Sequence, residues 1–336
     1  MNRPAQTTLA LLLMALPGIG SAQKPNDDSQ QQKVIIFRPV MELIPPGRVK
    51  LANGIEVDRK DWPTLVLADI QIPDSDKPGT CTGTLVGPNV ILLAAHCVDT
   101  QQGKPIPAQL WIESRRIPMV CEMHPAYLKS DYRPSMPRNS EDFALCMLND
   151  GGKQPVPIAK MSFEVIDIQT ALNPGEVVLM TGYGCSALKI LPEGGLTRSF
   201  DRGSLRIGIE TIDSTLGKWK NDPAYATIRS KEGKEPAVCP GDSGGPLFSG
   251  VTVAAPSGAR RVRGVNSSLC TVRRGDTAMC ASSTIGSGTW DIISAIAATG
   301  FPSFRLWVED WIARNKDRAP IVCGINRQAR ETPCRD

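Results

Sequence analysis

A glycine-rich segment at residues 239–247 surrounds one serine, Ser243, and suits chemistry better than packing. Glycine has no Cβ, so the flanking Gly241, Gly244 and Gly245 permit unusual backbone conformations and let another molecule approach the main chain. In such a turn the N–H groups of Gly241 and Ser243 can point at one spot, where they would stabilise an oxyanion. The segment therefore predicts a nucleophilic serine with an oxyanion hole formed by Gly241 and Ser243.

Histidine is the usual base for a serine nucleophile, and the chain contains two, His96 and His124. A serine hydroxyl is a weak nucleophile until such a base takes its proton. His96 follows an apolar run at residues 84–93, which we interpret as one strand leading into an Ala-Ala-His-Cys segment. We therefore assign His96 as the candidate base.

A carboxylate must fix the tautomer of that imidazole and stabilise its charged form. Asp142 directly opens an apolar run, Asp-Phe-Ala-Leu. Its rivals are Asp131, which lies within a polar loop, and Asp150, which lies in an Asn-Asp-Gly turn. Only Asp142 leads into a predicted strand, so we assign it as the partner of His96.

The Ala-Ala-His-Cys, Asp-Phe-Ala-Leu and Gly-Asp-Ser-Gly-Gly-Pro segments together resemble the chymotrypsin/trypsin family of serine endopeptidases, in the order His96, Asp142, Ser243. The resemblance covers roughly residues 51–316. It implies an all-β fold of two six-stranded antiparallel β-barrels, divided near residues 150–175, with a C-terminal α-helix. It also implies an acyl-enzyme mechanism on protein or peptide substrates, with no cofactor or metal, and a structural or solvent-exposed role for His124.

Composition and the N-terminal residues restrict the class of protein. A net charge of +4 over 336 residues, with no run of like charge, gives no case for nucleic acid binding. Residues 1–22 combine Arg3, an apolar core and a small-residue cleavage site, which is typical of a secretory signal. No later segment reaches about 18 uninterrupted apolar residues. We expect a secreted or periplasmic protein of bacterial type, without a membrane segment after signal removal.

Ten cysteines follow the signal, and an even number in an exported chain predicts disulfides. The expected pairs are Cys81–Cys97, Cys121–Cys146 and Cys323–Cys334. The resemblance implies the first pair, the second would bridge neighbouring strands, and the third would close a loop in a C-terminal tail at residues 317–336. Three pairings remain open for Cys185, Cys239, Cys270 and Cys280.

Residues 23–50 have the character of a pro-segment that ends at Lys50. In the resembling family, cleavage creates an N-terminus whose α-ammonium pairs with the carboxylate beside the nucleophile, here Asp242. A buried carboxylate without a partner costs several kcal/mol. In that family an aromatic-Pro pair follows the new N-terminus at a fixed distance. Counting back from Trp62-Pro63 puts Leu51 at the first mature position. We therefore expect cleavage after Lys50, by an activating protease.

Two residues bear on substrate preference. Ala237 lies six residues before Ser243, where trypsin-like members of the family carry an aspartate. Ser267 stands in the segment that lines the family's substrate cleft, near the position that hydrogen-bonds the triad carboxylate, although the usual Trp-Gly after it is absent. A pocket without the aspartate should not prefer Arg or Lys, so we expect a small or apolar residue before the scissile bond.

Hydrophobic periodicity also predicts a helix at residues 302–314. Its apolar face is expected to contain Leu306, Trp307, Trp311 and Ile312.

The competing hypothesis for function is a binding protein on the same fold that has lost catalysis, since fold does not determine function. Such proteins usually lose a triad member or an oxyanion-loop glycine, and this sequence retains them.

Overall fold

Short runs of β-branched and apolar residues, separated by turns rich in glycine, proline and asparagine, fold here into strands. The computed structural model describes residues 33–39, 52–71, 79–133, 136–149, 158, 161–190, 196–200, 205–219, 222–252, 254–256, 258–275 and 288–336. All of them belong to one compact unit, Gln32–Asp336. The expected signal at residues 1–22 lies outside the described residues, as do Lys50 and Leu51.

The described residues contain eighteen strands and one α-helix. In chain order they are β1 (Val34–Pro39), β2 (Ile55–Glu56), β3 (Leu65–Gln71), β4 (Gly79–Gly87), β5 (Val90–Leu93), β6 (Ala108–Ile112), β7 (Arg115–Met123), β8 (Ala144–Leu148), β9 (Val165–Ile166), β10 (Val177–Gly182), β11 (Cys185–Ile190), β12 (Leu196–Phe200), β13 (Arg206–Thr211), β14 (Ser214–Trp219), β15 (Asp222–Lys231), β16 (Pro246–Ser249), β17 (Arg261–Arg273), β18 (Trp290–Ala298) and α1 (Pro302–Arg314).

Seven strands close into a barrel in the order β1-β3-β4-β5-β8-β7-β6. Six of them form the barrel expected from the resemblance. The seventh, β1, comes from the expected pro-segment and lies between β3 and β6, antiparallel to the first and parallel to the second. Its Ile35 and Phe37 side chains belong to the barrel core. Residues 34–39 are therefore a structural part of this barrel.

The second sheet has nine strands in the described residues, with eight in the order β14-β15-β18-β17-β16-β10-β13-β2 and β9 paired with β17. It forms a half-barrel, and β11 and β12 make a separate two-stranded sheet. All nine residues of β18 are buried, which fits a central strand covered on both faces. The all-β, chymotrypsin-type architecture with a C-terminal helix is thus confirmed.

Residues 84–93 were expected to form one strand, and that expectation was wrong. Strand β4 ends at Gly87 and β5 begins at Val90, with a turn at Pro88 and Asn89 between them. Proline lacks the N–H that a strand ladder needs, and asparagine favours turns. The apolar run therefore folds into a hairpin, and its second strand leads directly to His96.

Helix α1 buries Trp307 and Trp311 as expected and packs Ile312 against the core, but Leu306 does not belong to the buried face. Phe304, Trp307, Val308 and Trp311 are buried, which follows the spacing of 3.6 residues per turn, whereas Leu306 is 67% exposed. The Phe304 ring packs 4.5 Å from the Phe143 ring, beside Asp142. None of the described helices has the length and apolar character needed to cross a membrane.

Four disulfides connect described cysteines. Three are the expected pairs, Cys81–Cys97, Cys121–Cys146 and Cys323–Cys334. The fourth, Cys185–Cys239, decides one of the pairings that the sequence left open. Cys270 is also disulfide-bonded, and Cys280 lies outside the described residues.

The C-terminal tail packs between the first barrel and β9. The Cys323 N–H donates a 2.8 Å hydrogen bond to the Val86 carbonyl of β4. The Cys323 carbonyl accepts a 2.9 Å hydrogen bond from the Ile166 N–H of β9. The Cys323–Cys334 bond closes a small loop at this point. The tail is therefore hydrogen-bonded to both β4 and β9.

Candidate active site

His96 and Asp142 are joined by two hydrogen bonds. His96 lies in the 3-10 turn that follows β5, and Asp142 lies two residues before β8, which pairs with β5. The His96 N–H donates to Oδ1 of Asp142 at 2.9 Å, and His96 Nδ1 lies 2.7 Å from Oδ2. A carboxylate at Nδ1 places the ring proton there and leaves Nε2 as the basic nitrogen.

The Asp142 carboxylate is fully buried and is also held from the second sheet. The Ser267 hydroxyl, on β17, donates a 2.6 Å hydrogen bond to its Oδ2. The Tyr225 hydroxyl, on β15, lies 3.2 Å from the Ser267 oxygen and donates to the Asn139 carbonyl at 2.7 Å. A buried carboxylate needs hydrogen-bond partners, and Asp142 receives them from the His96 N–H, His96 Nδ1 and the Ser267 hydroxyl.

Ser243 lies in a tight turn that packs against the histidine loop. The Asp242 N–H donates to Cys239 O, and the Gly245 N–H to Asp242 O, both at 2.9 Å. A Cβ on Gly244 would lie 2.8 Å from the Ala94 nitrogen, so the approach of this turn to the end of β5 requires glycine.

The Cys97 sulfur lies close to both Ser243 and His96. Cys97 Sγ lies 3.7 Å from the Ser243 carbonyl oxygen and 4.0 Å from His96 Nε2. Ser243 and His96 are both partly exposed. The structure thus brings the three candidate residues, His96, Asp142 and Ser243, into one site at the contact between the first barrel and the turn before β16.

The N–H groups of Gly241 and Ser243 have no hydrogen-bond acceptor among the described residues. Gly241 has φ +105, a backbone conformation that side chains of L-residues rarely adopt. Two adjacent donors that the protein itself does not use are the physical requirement for an oxyanion hole.

The sequence model of the family described as Trypsin matches residues 52–280. The chain belongs to the trypsin family. This stretch contains all three candidate residues and the Cys81–Cys97, Cys121–Cys146 and Cys185–Cys239 disulfides. The catalytic members of this family are serine endopeptidases.

Two curated trypsin-family relatives match parts of the chain. Vitamin K-dependent protein C of Rattus norvegicus is 24% identical over 213 residues, which cover 59% of this chain and 42% of that protein. Chymotrypsin-like elastase family member 1 of Homo sapiens is 29% identical over 69 residues, or 20% of this chain and 26% of that protein. The chain therefore spans less than half the length of either relative.

A solved structure of a Glu endopeptidase in complex with MPD also matches this trypsin-family chain. The superposition has a TM-score of 0.42 at 15% sequence identity, and it covers 81% of this chain and 99% of that chain.

Asp242, beside the nucleophile, is fully buried in this trypsin-family site. Its Oδ1 accepts the Gly184 N–H at 2.7 Å, and its Oδ2 accepts the Cys239 N–H at 2.9 Å. Burial raises the pKa of Asp242 to about 7, although the two N–H donors and the nearby Arg206 guanidinium favour the ionised form. The carboxylate therefore has hydrogen bonds but is strongly desolvated.

The candidate pocket residue Ala237 belongs to an apolar cluster. The cluster comprises Ala52, Cys185, Leu188, Ala237, Cys239 and Ile292, with Leu269 packed against it. The Ala237 N–H donates a 3.3 Å hydrogen bond to Ala52 O, and Asn53 Nδ2 donates to Glu235 O at 3.1 Å. Ala52 and Asn53, which follow the expected cleavage site, therefore pack against residues 235–237.

Sequence reasoning missed two residues that hold the nucleophile turn. Thr82, on β4, donates its N–H to Ser243 O at 2.7 Å and its hydroxyl to Gly241 O at 2.9 Å. Asn266, on β17, donates Nδ2 to Thr181 O at 2.9 Å. Its N–H donates to Gly245 O at 2.8 Å. No distinct signal in the sequence marks either residue, because β4 contains three threonines and β17 contains several other polar residues.

Of the remaining candidates, His124 and Asp131 contact neither His96 nor Ser243 among the described residues. His124 is buried against the Trp307 ring at 5.0 Å, and its Nε2 donates to Ser303 O at 3.2 Å. Burial lowers the pKa of His124, and both of its ring nitrogens are hydrogen-bonded to backbone groups, which fits a structural role. Asp131 is exposed, and Asp150 lies outside the described residues.

One group of potential metal ligands lies beside the nucleophile turn. Ligand atoms of Cys81, His96 and Cys97 lie within 4.8 Å of one another. The two sulfurs form the Cys81–Cys97 disulfide, and a metal-binding cysteine must be a thiolate. The group therefore offers only the imidazole of His96.

Proposed function

We propose that this protein is a serine endopeptidase in which Ser243 is the nucleophile and His96 the general base. His96 Nε2 takes the proton of the Ser243 hydroxyl as it attacks the substrate carbonyl, and later delivers that proton to the leaving amine. Asp142 orients the imidazole and stabilises its charged form. The acyl-enzyme is then hydrolysed by water, so the products are two peptides.

The observation that carries this proposal is the double hydrogen bond from His96 to the buried Asp142, next to the Ser243 turn. It orients the imidazole before any substrate arrives, which is the main requirement of a base-activated nucleophile. The free N–H groups of Gly241 and Ser243 add the oxyanion site, a contribution of roughly 3–4 kcal/mol per donor in such enzymes.

The substrates would be proteins or peptides with a small or apolar residue before the scissile bond. Ala237 is an apolar residue six residues before Ser243, at the position where trypsin-like relatives carry an aspartate, and its side chain packs in an apolar cluster with the partly buried Leu269 against it. Without an aspartate at this position the cationic head of Arg or Lys would lack its counter-charge there, which is costly. A peptide library read by mass spectrometry tests this preference, and cleavage mainly after Arg or Lys would contradict it.

Activation would follow cleavage after Lys50, by an activating protease, so the chain would be made as a zymogen. The new α-ammonium of Leu51 would pair with Asp242. In support, Ala52 is already buried against Ala237, and Asp242 is buried and costly to ionise without a counter-charge. N-terminal sequencing of active protein tests this step, because activity with the Lys50–Leu51 bond intact would exclude it.

The compartment would be extracellular or periplasmic. Disulfides persist in oxidising compartments and are rare in the cytosol, and four connect described residues here. A fractionation experiment with the full chain tests the location, together with loss of residues 1–22 from the exported form.

Labelling with a fluorophosphonate probe tests the catalytic proposal directly. The mature chain should be labelled stoichiometrically, and Ser243→Ala should abolish the label. Ser162→Ala is the matched control, because Ser162 is exposed and its loss should leave labelling unchanged. Absence of label in correctly processed, folded protein would favour the binding-protein hypothesis.

A further inference from the structure

Strand β1 fills the space between two strands that would otherwise be open edges of the first barrel. All six of its residues pair with β3, from Val34 opposite Gln71 to Pro39 opposite Val66. On its other side Ile35, Ile36 and Phe37 pair with β6. An unpaired strand edge binds another extended segment readily, so this gap is a strand-binding site by geometry.

The side chains of β1 are part of the core. Ile35, Ile36 and Phe37 have no exposed surface, and two of them share the apolar cluster of Val66 and Leu110. The Arg38 guanidinium lies 4.1 Å above the Trp111 ring of β6. The strand is thus held on both edges by its backbone and on its faces by buried side chains.

This strand precedes the proposed activation site in the sequence. Residues 23–50 contain no cysteine, so no disulfide links them to the rest of the chain. If the chain is cut between residues 40 and 51, only hydrogen bonds and apolar packing remain to hold β1.

We propose that the gap between β3 and β6 is a binding site for the chain's own residues 34–39, and that this strand stays bound after the chain is cut. The mature protein is then a non-covalent complex of a short N-terminal fragment and the protease domain. The proposal extends the activation step above, but it does not depend on catalysis or on the natural position of the cut.

The test uses the full chain in a Ser243→Ala background, so that no catalysis is involved. Residues 44–49 are replaced by the recognition sequence of a site-specific protease, and the chain is cut completely. After gel filtration without denaturant, mass spectrometry should find both fragments in one peak at a 1:1 ratio. Hydrogen exchange should show the backbone amides of β3 and β6 as protected as before the cut.

Matched variants separate specific binding from incidental association. Ile35→Asp with Phe37→Asp puts two carboxylates into the core and should release the short fragment after cutting, whereas Lys33→Asp, at an exposed position, should not. If the double variant does not fold, the cut chain without these two substitutions still tests whether β1 stays bound. A short fragment that elutes separately, leaving a folded chain with unprotected β3 and β6 amides, would overturn the proposal.

Discussion

The hydroxyl of Thr82 donates a 2.9 Å hydrogen bond to the carbonyl oxygen of Gly241. The same hydroxyl accepts a 2.9 Å hydrogen bond from the N–H of Tyr183, and the Thr82 N–H binds the Ser243 carbonyl at 2.7 Å. One buried residue of the first barrel therefore holds the main chain at both donors of the proposed oxyanion hole.

Thr82→Val is expected to lower kcat about 10- to 100-fold with little change in KM, because it removes the hydroxyl and leaves two buried backbone groups unpaired, a loss of roughly 1–3 kcal/mol. Thr82 acts through Gly241, so it is a positioning residue. Thr82→Ser keeps the hydroxyl and should recover most of the rate. Steady-state kinetics on a peptide ester and amide checks both values.

Thr84→Val is the control for that substitution. Thr84 lies on the same strand and is fully buried, and its hydroxyl has no partner among the described residues. Removing an unsatisfied hydroxyl should leave the rate within about twofold and should not lower stability. Equal rate losses in Thr82→Val and Thr84→Val would show a packing effect instead of a positioning effect.

Asp142→Asn should lower kcat by about ten-thousandfold, because an amide at this position favours the wrong tautomer of His96. The fold should persist, since the two side chains have nearly the same volume. Asp131→Asn, at an exposed position, should leave kcat unchanged. Comparable activity in the two variants would remove Asp142 from the proposed triad.

The uncut chain should lose stability between about pH 4 and pH 7 because of Asp242. The pKa of Asp242 is about 7 in the folded chain and near the ordinary aspartate value of 3.8 in the unfolded chain. The folded state thus binds this proton more tightly, so the cost of ionisation is absent below pH 4 and complete above pH 7. The loss is on the order of 4 kcal/mol if the whole pKa difference acts on folding.

Urea unfolding of the uncut chain and of Asp242→Asn across this pH range measures that loss. The variant does not titrate at residue 242, so the difference between the two curves isolates the carboxyl group. Cleavage after Lys50 should make this difference less dependent on pH, because the proposed α-ammonium of Leu51 would offset the buried charge of Asp242. Parallel curves for the two uncut proteins would contradict the prediction.

Arg260→Leu should destabilise the fold by about 3–5 kcal/mol, because it leaves a buried carboxylate without its main partner. Arg260 and Glu164 are both fully buried, with Arg260 Nε and Nη2 at 2.8 and 2.6 Å from the carboxylate oxygens. Arg305→Leu breaks an exposed pair with Glu309 and should cost less than about 1 kcal/mol. Thermal unfolding of both variants compares the two losses.

The local segments around His96, Asp142 and Ser243 were recognisable because their signals are contiguous in the chain. Glycines beside a serine, and apolar runs that end at a histidine or begin at an aspartate, need no information from distant residues. The family resemblance that these segments carry implied the fold class. Leu306 was wrongly assigned to the apolar face of α1, because only the packing against Phe143 selects Phe304 over Leu306.

By itself the sequence determined the family, because its motifs are short and contiguous, and the resemblance to that family implied the two-barrel fold class. Tertiary structure alone decided the Cys185–Cys239 pairing, the place of β1 and the hydrogen bonds of Thr82. The residues of β1 do not by themselves indicate which strands β1 pairs with, and its partner β6 lies about 70 residues later in the chain. Long-range packing determines the position of β1, because β1 closes the barrel and leaves no open edge.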